Sequence, residues 1–281
     1  DMKNHVFIIA EAGINHNGDM NLAYKLINVA ANAKVDAIKF QTFNTDEELI
    51  KDTDKTKYQK KHTDSNESLY EMTKKLELNS KNHDELISYC KDKSILFLSS
   101  ASDIPSLELL VEKNQKIWKI PSNLINDYPY LLKVGKMNQK VILSSGMSTL
   151  NEIESAIDLL VSSGTNKENI TILQCNTEYP TPFEDVNLKA MLTIRDKLDV
   201  KVGYSDHTEG IEVSIAAVSM GAKVIEKHFT LDKSMIGPDH KASLEPNELI
   251  SMVKAIRNIE KAFGSKEKTP SKSELKNKTI T

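Results

Sequence analysis

Short apolar stretches, rich in β-branched residues, alternate along this chain with longer stretches in which apolar residues recur every three or four positions. The short stretches are typical of buried β-strands and the longer ones of amphipathic helices. Such an alternation predicts a parallel sheet covered by helices. Eight strands are expected, at residues 6–10, 37–40, 95–99, 117–120, 141–144, 170–174, 200–204 and 224–227.

The helical pattern is clearest in residues 22–33, 104–111, 153–161 and 211–220. Four side chains that can accept hydrogen bonds from free backbone N–H groups precede helical segments, namely Asp19, Asp103, Thr149 and Asp185. Eight strand–helix units match a closed (β/α)8 TIM barrel, whose functional residues lie at the carboxyl ends of the strands. The predicted fold class is therefore α/β, a TIM barrel.

One large domain accounts for most of the chain. Its 281 residues exceed the usual length of a single domain, but barrels of roughly 250 residues fold as one unit. We therefore predict a barrel domain over residues 1–263, followed by a polar segment, 264–281, with the composition of a linker. A lysine-rich insertion, residues 51–80, is either a lid over the barrel mouth or a solvated loop.

Composition narrows the range of partners. The formal net charge is −3, so the basic surface that binds nucleic acid or an anionic membrane is not expected. No stretch approaches the roughly 20 apolar residues of a membrane span, and the start of the chain lacks a signal-peptide pattern. Cys90 and Cys175 are far apart, which favours reduced thiols. We expect a cytoplasmic protein whose partners are small molecules or other proteins.

Polar residues close the predicted strands. Lys39 and Gln41 share a side of the second strand, because alternate residues of a strand face the same way. Lys119 and Ser122 end the fourth. The small-residue turn Ser144-Ser145-Gly146-Met147-Ser148 after the fifth could cradle a phosphate with its backbone N–H groups. A single strand-end lysine is about equally often a solvated charge. Two lysines with several hydroxyls in one pocket indicate a phosphate-bearing substrate.

Two histidines close the seventh and eighth strands, in Ser205-Asp206-His207 and Glu226-Lys227-His228. These strands are neighbours in a barrel, so the imidazoles are expected side by side at its mouth. An acid precedes each histidine, and a carboxylate commonly orients a ligating imidazole. Although one strand-end histidine is more often structural, a pair with open positions suits a catalytic Mn²⁺, Zn²⁺ or Fe²⁺ that polarises a carbonyl.

These segments form an ordered set of motifs that resembles a known family. They are Ala10-Glu11 with Asn15-His16-Asn17-Gly18, Lys39-Phe40-Gln41-Thr42, Ile117 through Ser122, Cys175 through Pro182, Ser205-Asp206-His207, and Glu226 through Thr230 with Gly237-Pro238-Asp239. The set is similar to the bacterial N-acetylneuraminate (sialic acid) synthase family, which includes the legionaminic and pseudaminic acid synthases. The resemblance covers residues 6 to about 275.

The resemblance implies a reaction and the residues that perform it. Members condense phosphoenolpyruvate with the open-chain form of an N-acetylmannosamine-type sugar and release phosphate. By resemblance, His207 and His228 hold a divalent metal, usually Mn²⁺, with Glu226 beside it. Glu11 is the candidate for handling the proton of the water that adds at C2. The residues expected on phosphoenolpyruvate are Lys39, Lys119, Ser122, Ser145, Ser205 and, in place of a family threonine, Ser100; those expected on the sugar are Glu11, Gln41, Tyr179 and Asp239.

The chain departs from the family pattern in three places. Asn123 and Leu124 stand where the family has glycine and glutamate, and residues 99–102 read Ser-Ser-Ala-Ser instead of Ser-Thr-Pro-Phe. The family also carries an antifreeze-like domain after the linker and forms a homodimer; this sequence ends at Thr281, so we do not expect that domain in it.

The sugar and the class of activity therefore stay open. The product is either N-acetylneuraminate or, from a 2,4-diacetamido-trideoxy sugar, legionaminic acid, and an apolar pocket wall would favour the second. From other classes, a catalytically silent ligand-binding barrel and a class II aldolase-like enzyme with metal-bound histidines are alternatives.

Overall fold

A computed structural model describes residues 5–48, 59, 63–64 and 66–278. Eight parallel strands lie in the order β3-β2-β1-β8-β7-β6-β5-β4, a nearly closed barrel. The predicted TIM-barrel fold is confirmed. The strands are β1 (Phe7–Gly13), β2 (Ala37–Thr42), β3 (Leu96–Ala101), β4 (Ile117–Ile120), β5 (Lys140–Ser144), β6 (Ile170–Cys175), β7 (Lys201–Asp206) and β8 (Val224–His228).

The seam between β3 and β4 is bridged by one side chain. The amide of Gln115 accepts a hydrogen bond from Ser99 N–H at 2.9 Å. The same amide donates to the carbonyl oxygens of Ser99 at 2.9 Å and Ile117 at 3.0 Å. A buried backbone group without a partner is unfavourable, so this amide replaces part of the missing strand ladder.

Helices surround the strands. They are α1 (Met20–Ala33), α2 (Thr45–Glu48), α3 (Leu69–Lys75), α4 (Ser80–Asp92), α5 (Ile104–Glu112), α6 (Tyr128–Gly135), α7 (Leu150–Ser163), α8 (Lys189–Leu198), α9 (Glu212–Ser219), α10 (Pro246–Ala262) and α11 (Lys272–Lys278). The four helices predicted from periodicity are all present, with ends displaced by up to a few residues.

Three of the four predicted helix caps are confirmed. Asp19, Asp103 and Thr149 accept hydrogen bonds from N–H groups in the first turns of α1, α5 and α7. The prediction for Asp185 is wrong, because this residue ends a short 3-10 turn and α8 begins only after Leu188, which has no capping side chain. Asn187, at φ 48°, turns the chain between the two.

The predicted strands ended too early at several carboxyl ends. Strand β1 extends to Gly13 rather than residue 10, and β2 to Thr42 rather than residue 40. Polar residues that the sequence places after the strands are therefore their last members. They lie in the ladder because the carboxyl end of the barrel is itself buried by loops, and buried backbone groups need partners.

Two apolar layers form the core. The larger lies between the strands and the helices. The smaller fills the barrel lumen with Ile9, Ala37, Leu98, Ile142, Leu173 and Val224. Alternate residues of a strand share a face, so residues two positions further along point into the lumen nearer the carboxyl end. The inner core therefore forms the floor beneath whatever lies at the mouth.

Several other predictions are met or fall outside the structure. Cys90 and Cys175 are free and buried, as expected. Residues 51–58, 60–62 and 65 of the insertion at 51–80 lie outside the described residues, and its later part forms α3, whose Met72 packs with Phe43. Residues 264–278 are exposed, and the domain boundary at 263 stays a prediction. In the described part of the chain, none of the helices combines the length and apolar character needed to span a bilayer.

Candidate active site

A cavity of about 820 Å³ opens at the carboxyl end of the barrel. Ten of the residues predicted from the sequence line it: Glu11, Lys39, Gln41, Ser100, Lys119, Ser122, Ser205, His207, Glu226 and His228. A larger groove of about 1120 Å³ lies among neighbouring loops but holds none of these residues. The cavity with the converging charges is therefore the candidate active site.

Lys39 lies at the centre of one half of the cavity. Its Nζ is 2.8 Å from Glu11 Oε2 and 3.6 Å from Glu226 Oε2. The ammonium also donates a hydrogen bond to Ser100 Oγ at 2.6 Å. Gln41 donates to Glu11 Oε1 at 3.2 Å, which confirms that Lys39 and Gln41 share one side of β2.

Glu226 joins this half of the cavity to the second lysine. Lys119 Nζ is 3.3 Å from Glu226 Oε1, and Ser205 Oγ donates to the same oxygen at 3.0 Å. Burial alone would raise the pKa of Glu226, but Lys119 and Lys39 outweigh it and hold that pKa well below its usual range. Glu226 is therefore the ionised partner of both cations.

The pKa of the second carboxyl group, Glu11, is shifted in the opposite direction. Burial and the nearby Glu226 raise the pKa of Glu11, although Lys39 opposes the rise. For Lys39, burial lowers the pKa, but Glu11 and Glu226 outweigh it and the net change is upward. Two carboxyl groups with pKa values driven apart in one pocket commonly perform different acid–base roles.

The small-residue turn after β5 makes hydrogen bonds within the protein. Gly146 N–H donates to Ser122 Oγ at 2.9 Å, and Ser145 N–H donates to Leu173 O at 3.0 Å. These two N–H groups have partners within the protein, and the phosphate cradle stays a prediction. A Cβ on Gly146 would lie 2.8 Å from Ser122 Oγ, which explains the glycine.

Within that turn, Ser144 rather than Ser145 faces the cavity. Ser144 lines the cavity and its buried hydroxyl has no hydrogen-bond partner, whereas Ser145 Oγ donates to Leu173 O at 2.7 Å. The alternation of β5 carries the signal that would have found it, because Ile142 points into the lumen and Ser144 follows two residues later.

The two histidines lie side by side, as the barrel geometry predicts. Their ring centroids are 5.6 Å apart, and the ring of Tyr179 packs edge-on against both at 5.0 and 4.9 Å. His207 Nδ1 lies 2.6 Å from the carbonyl oxygen of Asn176. A carbonyl only accepts, so Nδ1 carries the proton and Nε2 carries the lone pair. No local pattern in the sequence indicates this role for Asn176.

The pair has the properties of metal ligands. Burial lowers the pKa of both imidazoles, which keeps them neutral, and His228 Nδ1 is buried without a hydrogen-bond partner. In the ranges that the structure describes, His, Cys, Asp and Glu side chains form no group of three or more suited to a metal ion. Two neutral imidazoles with further positions open fit a catalytic divalent ion and not a structural zinc.

The acids that precede the histidines make no direct hydrogen bond to their rings. Asp206 pairs with Lys227, at 3.0 Å, on the outer face of the strands, and Glu226 pairs with the two lysines. The prediction that these carboxylates hold the imidazoles is therefore wrong. Strand alternation explains this for Asp206, since Asp206 and His207 are consecutive and face opposite sides of the sheet. Glu226 shares the lumen side with His228, but its oxygens face the two lysines.

Three other sequence positions lie around the cavity or behind it. Asp239 does not line the cavity, and loss of water around its carboxyl group raises its pKa to about 6. Asn123 lines the cavity, whereas Leu124 is buried in the outer core. The substituted leucine therefore packs rather than facing the reacting groups.

Both the sequence and the fold of this chain are similar to those of known proteins. Residues 26–268 match the NeuB family. N,N'-diacetyllegionaminic acid synthase of Campylobacter jejuni is 54% identical over 97% of this chain and 82% of its own length. The enzyme of the same name from Legionella pneumophila is 45% identical over 96% and 76%.

A solved structure agrees with these relatives. The crystal structure of N-acetylneuraminic acid (sialic acid) synthetase from Leptospira borgpetersenii, in complex with citrate, superposes with a TM-score of 0.85 at 35% identity. The match covers 99% of this chain and 91% of that chain. The chain therefore belongs to the NeuB family and is an enzyme of its synthase class.

Proposed function

We propose that this protein condenses phosphoenolpyruvate with an open-chain N-acetylated aminosugar to give a nonulosonic acid and phosphate. C3 of the enol attacks the aldehyde carbon, and the aldehyde oxygen takes up a proton. Water then adds at C2, and the tetrahedral intermediate releases phosphate as the C2–O bond breaks, which leaves a 2-keto acid. The reaction consumes one water and needs no oxidant or reductant.

The arrangement of Lys39 and Lys119 carries this proposal. Both are buried, at 4% exposure each, and they face Glu226 from two sides of the same cavity. Burying two cations is unfavourable unless anions compensate them, and Glu226 supplies one negative charge. The second carboxyl group, Glu11, has its pKa raised to about 7, so near neutral pH it compensates Lys39 only in part. The remaining positive charge suits the phosphate and carboxylate of phosphoenolpyruvate, with the hydroxyls of Ser100 and Ser122 beside it.

Glu11 is placed to move a proton. Its raised pKa allows it to hold or release a proton near neutral pH, which is the condition for efficient general acid–base catalysis. A divalent ion, which we propose to be Mn²⁺ held by His207 and His228, would supply Lewis-acid polarisation of the aldehyde. The imidazoles and the lysines line the same cavity.

An apolar wall favours a deoxy sugar. Phe43, Met72 and Leu76 form a small apolar cluster with Ile14, and all four residues line the cavity. A hydroxyl placed against this wall would lose its water without gaining a partner, whereas a methyl group would be stabilised. We therefore propose a 2,4-diacetamido-2,4,6-trideoxy sugar as the substrate and a legionaminic acid as the product.

Two polar residues near this wall, Thr73 and Asp103, are already hydrogen-bonded within the protein. Thr73 Oγ1 donates to Leu69 O at 2.7 Å. The two oxygens of Asp103 accept from Ser106 N–H at 2.7 Å and Asn44 N–H at 2.8 Å. They are poor partners for a sugar hydroxyl, which supports the deoxy substrate.

The test is phosphate release from phosphoenolpyruvate with Mn²⁺, compared between the diacetamido-trideoxy sugar and N-acetylmannosamine. We expect kcat/KM for the trideoxy sugar to be higher by about 10- to 100-fold, the usual discrimination for small apolar groups. If no sugar in this panel supports phosphate release, the proposed reaction is wrong.

A substitution in the apolar wall tests which sugar is preferred without removing a reacting group. Met72→Gln adds a hydrogen-bonding group of similar size, so the preference for the trideoxy sugar should fall by about tenfold. Met72→Leu keeps the wall apolar and should leave the preference unchanged. An equal preference in both variants would show that the sugar's C6 does not face this wall.

A further inference from the structure

A second buried ion pair lies directly behind the histidines. Asp206 on β7 and Lys227 on β8 are partners in the strand ladder. They point away from the lumen, toward α9, and are 1% and 2% exposed. A histidine follows each of the two residues in the chain, and the rings of His207 and His228 lie 5.6 Å apart.

All hydrogen-bonding capacity of Asp206 is used. Its Oδ1 accepts from Thr208 N–H at 2.9 Å and from the Thr208 hydroxyl at 2.7 Å. Its Oδ2 accepts from Ser214 Oγ at 2.7 Å and lies 3.0 Å from Lys227 Nζ. The carboxylate thus connects β7, β8, α9 and the residue that follows His207.

Lys227 closes this network. Its Nζ donates to the carbonyl oxygen of Thr208 at 2.7 Å, in addition to its contact with Asp206. Both residues adjoining His207 are therefore held, Asp206 before it and Thr208 after it. The carbonyl of His207 itself accepts from Thr181 N–H at 2.8 Å, so its backbone has little freedom.

Stability alone does not explain the pair. Replacing a buried ion pair with apolar residues of similar size is often neutral or stabilising, because desolvation offsets the attraction. What an ion pair with four fixed hydrogen bonds provides is a defined geometry, since each bond is directional. Here the bonds fix two parts of the backbone. One is residues 206–208, which carry the imidazole of His207, and the other is the end of β8, which carries that of His228.

We propose that Asp206 and Lys227 are positioning residues that set the spacing and the ring orientation of His207 and His228. The inference rests on the proposed metal-dependent reaction, in which both imidazoles bind one ion. Neither residue lines the cavity, so they act through the backbone and not by contact with substrate.

The test uses the double variant Asp206→Asn with Lys227→Met, which removes both charges and leaves no unpaired buried ion. We expect its thermal unfolding midpoint to stay close to that of the wild type, while Mn²⁺ affinity, measured by electron paramagnetic resonance, falls at least about tenfold. Side-chain ¹⁵N NMR of the metal-free protein should show His207 as one Nδ1–H tautomer in the wild type and as a mixture in the variant.

A matched control distinguishes positioning from general destabilisation. Thr165→Val removes a buried hydroxyl that donates to Gly135 O at 2.7 Å, far from the histidines along the fold. It should lower the unfolding midpoint and leave the Mn²⁺ affinity and the His207 tautomer unchanged. Wild-type Mn²⁺ affinity and a single His207 tautomer in the folded double variant would overturn the proposal. If the wild type binds no Mn²⁺, the proposed function fails, and the tautomer measurement alone decides the positioning role.

Discussion

Two layers of the same barrel lumen differ in polarity and in charge. The lower layer is apolar, for example Ile9, Leu173 and Val224. Two residues further along the same strands, the upper layer holds Glu11, Cys175 and Glu226. The backbone geometry of the layers is the same, because alternate residues of one strand point into one lumen. Position along the strand therefore separates the part that stabilises the barrel from the part that reacts.

The two layers also contribute differently to the free energy of folding. The apolar layer gains from each group that it removes from water. The charged layer contains two lysines and two carboxyl groups that are all nearly inaccessible, so each must be compensated by the others. We expect substitutions in the lower layer to reduce stability and those in the upper layer to reduce activity.

Lys119→Met should produce the largest effect. It removes one of the two cations that face Glu226 and that are proposed to hold phosphoenolpyruvate. We expect kcat/KM for phosphoenolpyruvate to fall by about 10³-fold, as for loss of one preorganised electrostatic group. Steady-state phosphate release gives the measurement.

Stability should respond much less to this substitution. Glu226 keeps Lys39 at 3.6 Å and the hydroxyl of Ser205, so no carboxylate is left without a partner. We expect the free energy of unfolding to change by no more than about 1 kcal/mol, since active-site charges commonly cost stability. Activity within tenfold of the wild type would remove Lys119 from the phosphate site.

Leu173→Ala tests the lower layer. Leu173 is fully buried, and its truncation leaves a void that the rigid barrel only partly fills. The free energy of unfolding should fall by about 2 to 5 kcal/mol in urea denaturation. At temperatures where the variant is folded, kcat/KM should stay within about threefold of the wild type, because no reacting group is touched. A loss of activity comparable to that of Lys119→Met would mean that the layers are not separable.

The sequence predicts the barrel well because its signal is local. Apolar periodicity marks each strand and helix, and the residues at strand ends fall at one mouth because parallel strands share a direction. Lys39 and Gln41 were placed together by alternation alone, and their shared contact with Glu11 bears this out.

Features that depend on contacts distant in sequence could not be predicted in this way. The Asn176 carbonyl that orients His207 lies 31 residues away, and the pairing of Ser122 with Gly146 spans 24. The likeness to the family favoured Ser145 over Ser144, and only the face of β5 corrects this. Local pattern locates the site, and three-dimensional packing decides which atoms are free to react.

The loops above the charged layer form a third zone, buried and polar but without reacting groups. His240 donates from Nε2 to Asn17 Oδ1 at 2.8 Å, and Nδ1 lies 2.5 Å from Thr230 Oγ1. Burial lowers the pKa of His240 to about 4 and, together with His240, that of His16 to about 4. Both imidazoles are neutral in the folded protein.

This zone should make stability depend on pH. In the unfolded chain these imidazoles take up protons below about pH 6.5, whereas in the folded protein they do so only near pH 4. Their contribution to stability is therefore fully present above pH 6.5 and is lost as the pH falls toward 4. Each imidazole contributes about 1.4 kcal/mol per pH unit within that window. His240→Gln should therefore reduce the slope of unfolding free energy between pH 6 and pH 5 by about 1 kcal/mol per pH unit, measured by urea denaturation.

Thr230→Val is the matched control, since it removes a hydrogen-bond partner of the imidazole but keeps the titrating group. It should lower stability at pH 7 and leave the slope close to that of the wild type. An unchanged slope in His240→Gln would mean that the imidazole is protonated in the folded state. His240 would then be a charged group beside the mouth of the barrel. The loops would belong to the charged upper layer and would not form a separate neutral zone.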